Sequence, residues 1–215
     1  VLAKLKRFNW RRSILWFLFP IASYSIVVFI GIVLKEGAFD KFDNAATMIM
    51  ATLFDLPAVF VFSFTFIFME EIIFRGILLN SHLSTKKETA SAITVSVLFS
   101  IYSMPDVFTN DFSSLVIYIS LLFYFFSVSF ITSFLALRYD SLWVSYSFRI
   151  GLLTIAPLIL TSYMVESDSL FQTKNSFFYA EGFLFSLLTL VTGFVLLKRR
   201  AEIPLEPQIV EKSTI

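Results

Sequence analysis

Val59-Phe60-Val61-Phe62-Ser63-Phe64-Thr65-Phe66-Ile67-Phe68-Met69-Glu70-Glu71-Ile72-Ile73-Phe74-Arg75-Gly76-Ile77-Leu78-Leu79 is long and apolar enough to sit in lipid, yet it carries two adjacent carboxylates and an arginine. A helix needs roughly 20 predominantly apolar residues to cross a bilayer core. Ionisable groups at that depth are costly, so they read as a functional-site hypothesis with a partner to be found. On a helix, Glu71 and Arg75 are four residues apart and share a face, where they can pair. Glu70 points about 100° away by the helical turn angle and is left unsatisfied by that pair. A carboxylate left partly uncompensated in an apolar site can serve as a general base. One acid is then structural and one available, as a water-activating site requires. The competing reading is that both glutamates only pair with basic groups on other helices.

The rest of the chain agrees with a membrane setting. Of 215 residues, 57% are hydrophobic and 15% charged, and the mean hydropathy is +0.81. Such a composition departs from that of an ordinary soluble domain. Six apolar segments can be drawn, at about 13–34, 57–79, 89–104, 113–137, 142–163 and 177–197. Long continuous runs exclude the ten-residue alternation of a membrane β-barrel. The predicted fold is therefore all-α, a polytopic bundle of about six transmembrane helices within a single domain over 1–200. A polar cytoplasmic tail follows at 201–215. An amphipathic stretch, 45–55, predicts a short interfacial helix leading into Pro57, a favoured first-turn residue.

Charge placement predicts the orientation. Lys4, Lys6, Arg7, Arg11 and Arg12 precede the first segment, and Lys198, Arg199 and Arg200 follow the last. Lys86, Lys87 and Arg138 lie in loops of the same side, whereas the opposite loops are mostly acidic. The positive-inside rule then puts both termini in the cytoplasm. The apolar part of the first segment is too long for a cleaved signal peptide, and no small-residue cleavage site follows it. The lipid bilayer is the expected surroundings. A net charge of +1 argues against nucleic acid as a partner.

Cysteine is absent and His82 is the sole histidine. Disulfides, thiolate sites and a zinc site are therefore excluded. No Gly-rich phosphate loop or HExxH is present, so neither cofactor nor metal is expected. His82 lies in Asn80-Ser81-His82-Leu83-Ser84 beside lysines and reads as a solvated loop residue. The 28 phenylalanines read as lipid-facing or helix-packing groups.

Glu70-Glu71-Ile72-Ile73-Phe74-Arg75-Gly76 resembles the first motif, EExxxRG, of the CAAX-protease and bacteriocin-processing (CPBP, or Abi) family of intramembrane endopeptidases. Leu98-Phe99-Ser100-Ile101-Tyr102-Ser103 is similar to that family's second motif, FxxxH. Ser141-Leu142-Trp143-Val144-Ser145-Tyr146-Ser147-Phe148-Arg149 is similar to the segment entering the third, HxxxN or HxxxD. The motifs stand in order, one per helix, within a core of about 57–163. The resemblance implies that the first glutamate and the second-motif histidine activate water, and that the third motif stabilises an oxyanion. Glu70, Glu71 and Arg75 match their counterparts. Ser103 stands at the second-motif histidine position, and Arg149 and Leu153 stand at the third-motif positions.

These departures have chemical consequences. Serine cannot take up a proton near neutral pH, so water activation by two residues is lost at Ser103. Arg149 can donate hydrogen bonds to an oxyanion, whereas Leu153 offers no polar group. Arg149 lies about eight residues into its segment, on the order of 12 Å of helical rise. Glu70 lies about nine residues from the same side. A bridge between Arg149 and Glu70 is therefore expected, and it would occupy the carboxylate. The sequence predicts a CAAX-protease-like protein of a bacterial cytoplasmic membrane with a decayed peptidase centre, acting as scaffold or regulator for a membrane-protein partner. The rivals are an active endopeptidase using Glu70 on a peptide substrate, and a small transporter component.

Overall fold

In the structure, a computed structural model, the described residues are 5, 8–34, 37–39, 61, 64–83, 87–104, 115–159, 171–173 and 183–201. The expected interfacial helix at 45–55 and the tail beyond 201 lie outside them. Among the described residues there are six helices, in the order the apolar segments predict. They are α1 (Trp10–Val33), α2 (64–83), α3 (Glu88–Ser103), α4 (Leu115–Tyr139), α5 (Leu142–Ile159) and α6 (Phe183–Ala201). The all-α expectation holds, with one small addition. Gly37–Phe39 (β1) pairs antiparallel with Phe171–Thr173 (β2), in the register Gly37 to Thr173.

Local chemistry explains the helix ends. Asn9 caps α1, its side-chain oxygen accepting the Arg12 N–H at 3.2 Å and satisfying an otherwise orphaned donor. Glu88 places an acid in the first turn of α3, where the helix dipole favours it. Between α4 and α5, Asp140 takes φ 46°, a left-handed conformation that aspartate tolerates better than most residues. It reverses the chain between two helices that pack side by side. Hydroxyls within the apolar helices fold back on their own backbones. Ser96 bonds the Ala92 carbonyl at 2.7 Å, Ser100 the Ser96 carbonyl at 2.7 Å, and Ser127 the Phe123 carbonyl at 2.6 Å. Such back-bonding satisfies polar groups where water is not at hand.

Helix α4 is the hub, packed against α3, α5 and α6 and touching α2. One core cluster joins Trp16, Tyr24 and Val27 of α1 to Ile131 and Leu135 of α4, Phe148 of α5 and Phe185 of α6. Tyr24 stacks on Phe185 with centroids 4.2 Å apart. A second cluster joins Phe74 and Leu79 of α2 to Val95 and Phe99 of α3 and to Phe130 and Phe134 of α4. By length and hydropathy alone, α1 and the 118–139 part of α4 suffice to cross a membrane, and Phe183–Leu196 is a shorter apolar helix.

Helices α1 and α5 meet at Gly151. A Cβ there would lie 2.2 Å from the Phe17 carbonyl oxygen and 2.9 Å from Pro20 Cγ. The obstacle is backbone, which cannot rotate aside. Gly151→Ala is therefore expected to force α1 and α5 apart, lowering stability by about 1–3 kcal/mol, the range for overpacking. Thermal unfolding of the detergent-solubilised variant measures this. Gly193→Ala serves as comparison, because its nearest neighbour is the Phe130 ring at 3.0 Å and should cost less.

Candidate functional site

The charged residues of α2 sit where that helix changes its winding. Ile72–Leu78 forms a π segment, and the Leu79 N–H reaches the Phe74 carbonyl five residues back. Widened turns of this kind cluster at functional sites. Here the π segment carries Arg75 and begins immediately after Glu71. Carbonyls in its second half are taken up by side chains. Asn80 donates to the Gly76 oxygen at 2.6 Å, and Ser81 donates to the Leu78 oxygen at 2.9 Å. His82 Nδ1 lies 3.2 Å from that same Leu78 oxygen. The expected end of the helix at Leu79 is thus extended to Leu83, and His82 is a half-buried helix residue instead of a solvated loop residue.

Four charges form one cluster. Arg149 Nη2 lies 2.5 Å from Glu70 Oε2, and Arg149 Nη1 lies 3.5 Å from Glu71 Oε1. Arg75 Nη1 lies 3.4 Å from the same Glu71 oxygen. Glu71 therefore stands between two guanidiniums, while Glu70 belongs to Arg149. Glu71 and Arg75 are wholly buried, and the Glu70 and Arg149 side chains keep 10% and 13% exposure. Two carboxylates and two guanidiniums cancel in formal charge, so neither sign is left uncompensated in the apolar interior.

The surroundings complete the arrangement. Arg75 Nη2 donates to Thr132 Oγ1 at 2.5 Å and to Ser129 Oγ at 2.9 Å, both on α4. The Phe99 ring of α3 lies between the cations, its centroid 4.8 Å from the Arg75 guanidinium carbon and 4.9 Å from that of Arg149. Desolvated cation–π contacts of this sort add to the electrostatic balance. Arg75 Nε and Nη1 and Glu71 Oε2 are buried without hydrogen bonds among the described residues. The Glu71–Arg75 contact is an ion pair of looser geometry than the short Arg149–Glu70 bridge.

A family model described as type II CAAX prenyl endopeptidase Rce1-like matches residues 52–155. Residues 52–155 are thus similar to the Rce1-like family. The match covers α2 to α5 up to residue 155, and so includes the whole charged cluster and the parts of the helices that surround it. It also agrees with the all-α membrane bundle and with the endopeptidase family suggested by EExxxRG. No curated protein and no solved structure matches the chain.

Within this Rce1-like core the six positions singled out by sequence part company. Glu70, Glu71, Arg75 and Arg149 come together. Ser103 is half-buried in the last turn of α3, one turn beyond Phe99, and no described hydrogen bond or ion pair ties it to the charges. Leu153 packs with Phe17, Phe68 and Trp143 against Ile67, Tyr146 and Ile150. That side of α5 offers apolar packing where a polar donor would be needed. Sequence reasoning missed Ser129 and Thr132. Their signal was small polar residues three apart on a wholly apolar helix, which in lipid face the bundle interior. It also missed the π segment, which has no counterpart in hydrophobic periodicity. No group of three or more possible metal ligands occurs among the described residues.

Proposed function

We propose that this CAAX-protease-like membrane protein has lost peptidase chemistry and serves as a membrane-embedded scaffold or regulator for a partner protein. The observation that carries this reading is the 2.5 Å contact of Arg149 Nη2 with Glu70 Oε2. A general base needs a carboxylate oxygen free to take a proton from water. Here the matching carboxylate is engaged by the guanidinium of Arg149. Ser103, at the position of the missing histidine, cannot supply the second proton acceptor. Leu153, at the last motif position, lies in apolar packing. The bridge instead fastens α2 to α5, and Arg75 fastens α2 to α4 through Ser129 and Thr132. The cluster thus acts as a clamp among three helices. On this reading both termini face the cytoplasm of a bacterial cell.

The test is direct. Full-length protein reconstituted in lipid is incubated with a prenylated CAAX-type peptide, and product is followed by mass spectrometry. The expected result is no cleavage above that of the Glu70→Gln variant. Cleavage by the wild type that stops in Glu70→Gln would overturn the proposal and restore a glutamate-dependent endopeptidase.

A further inference from the structure

The residues ahead of α1 are tied to α5 by one tryptophan. Trp143 Nε1 donates to the Leu5 carbonyl at 2.7 Å. Phe8 meets the same indole edge-on, with centroids 5.6 Å apart and planes at 82°. Local sequence explains why Phe8 turns to α5. Asn9 caps α1 in an extended conformation, φ −127° and ψ 98°, so the helix starts only after it. A hydrophobic residue just ahead of a cap commonly packs on the fourth helical position. That position here is Ser13, which gives Phe8 no apolar partner of this kind within α1. Leu5 packs against the cluster that contains Leu79 of α2, Leu137 of α4 and Leu142 of α5. Leu5 is half-buried and Phe8 keeps 61% exposure. These two side chains rest on the bundle and can leave without opening its core.

Trp143 is also one end of an aromatic seam between α5 and α2. Its ring centroid lies 5.5 Å from that of Phe68 and 6.0 Å from that of Tyr146. Tyr146 in turn meets the Phe64 and Phe68 rings at 5.0 and 5.5 Å. Its hydroxyl donates to the Phe64 carbonyl at 3.3 Å. Ile67 belongs to the same apolar group as Tyr146. The seam adjoins the four charges on both helices. Tyr146 and Arg149 are three residues apart on α5, and Ile67 and Glu71 are four apart on α2, spacings that make helix neighbours. The aromatic seam and the Arg149–Glu70 bridge thus hold the same two helices side by side.

Coupling between two sites needs an element whose arrangement both of them bias. Here that element is the Trp143 side chain. With the Leu5 carbonyl in place, the indole is fixed through its N–H and forms a wall for Phe68. Without Leu5 and Phe8 the ring loses both its acceptor and an edge contact, and other rotamers open to it. We propose that Leu5 and Phe8 form a latch on Trp143, coupled through the aromatic seam to the Arg149–Glu70 bridge, so that release of the N-terminal segment loosens the fastening of α2 to α5. The latch does not depend on whether Glu70 retains peptidase chemistry.

Lys4, Lys6 and Arg7 stand beside the latch residues in sequence and make its release readable by trypsin. Full-length protein in detergent is digested briefly, and mass spectrometry follows cleavage after these three residues. Trp143→Phe removes the N–H donor, keeps an aromatic ring and leaves the cleaved sequence unaltered. It should speed N-terminal cleavage by about five-fold, the factor that corresponds to one ordinary hydrogen bond. Trp143→Leu should speed it at least as much; if that variant does not fold, Trp143→Phe alone decides. Cleavage after Lys198, Arg199 and Arg200, followed in the same digest, should not change. Glu70→Gln weakens the bridge and should speed N-terminal cleavage by about two- to five-fold, the scale for residues coupled through packing. Should it not fold, Arg149→Lys serves in its place. Equal N-terminal rates in wild type and Trp143→Phe would overturn the latch. Equal acceleration at both ends of the chain would mean general loosening and would overturn it too. A faster rate in Trp143→Phe with none in the bridge variant would overturn the coupling.

Discussion

Replacing Arg149 by leucine is expected to destabilise the protein by about 3–5 kcal/mol, the scale for removing one partner of a buried ion pair. Glu70 would lose its 2.5 Å partner in a setting with only 10% side-chain exposure. Glu71 would fare better, since Arg75 remains 3.4 Å away. The double variant Arg149→Leu with Glu70→Leu should recover most of that loss. Apolar side chains then replace the pair, and such replacements are often neutral or better. Denaturant or thermal unfolding in detergent micelles, run as a double-mutant cycle, gives the coupling. A single variant as stable as the wild type would mean that the bridge does not fasten α2 to α5. The scaffold reading would then lose its physical basis.

The second large effect is expected at Glu71. Its Oε1 faces Arg75 at 3.4 Å and Arg149 at 3.5 Å, and the side chain is wholly enclosed. Glu71→Leu leaves Arg75 in the interior with only the neutral acceptors Ser129 and Thr132 and the face of Phe99. A loss of about 3–5 kcal/mol or more is anticipated, again from stranding a buried charge. Glu70→Leu should cost less. It leaves Arg149 with Glu71 still in reach and with 13% of its side chain exposed. The order of the two glutamates is the informative measurement. If Glu70→Leu proves the more damaging, the cluster is organised around Glu70 and not around Glu71.

These effects bear on how the family's glutamates are read in this chain. In an endopeptidase, substitution of the water-activating glutamate should remove activity and leave abundance intact. In a clamp, the same substitution should reduce abundance and unfolding temperature together. Unfolding of Glu70→Gln, followed beside the peptide assay, separates the two. Gly151 provides an independent reference, because its effect arises from the Phe17 carbonyl and involves no charge.

Sequence alone determined the class, the number and order of the helices, and the pairing of Glu71 with Arg75. It also predicted the Arg149–Glu70 bridge. Those features follow from hydropathy and from residue spacing along single helices, and each chain segment carries that information locally. Matching depths along two helices were enough to bring opposite buried charges into register, because unpaired charge in an apolar interior is costly. Other features were decided only by the tertiary structure. The π segment at Ile72–Leu78, the continuation of α2 through His82, the sharing of Glu71 between two arginines, and the grip of Ser129 and Thr132 on Arg75 arise between helices. So does the placement of Phe99 between two guanidiniums. Hydropathy reports which faces avoid water, but it does not report the rotation of one helix against another. That rotation selects which neutral oxygens meet a buried cation, and so whether Glu70 remains available for chemistry or is bound into the packing.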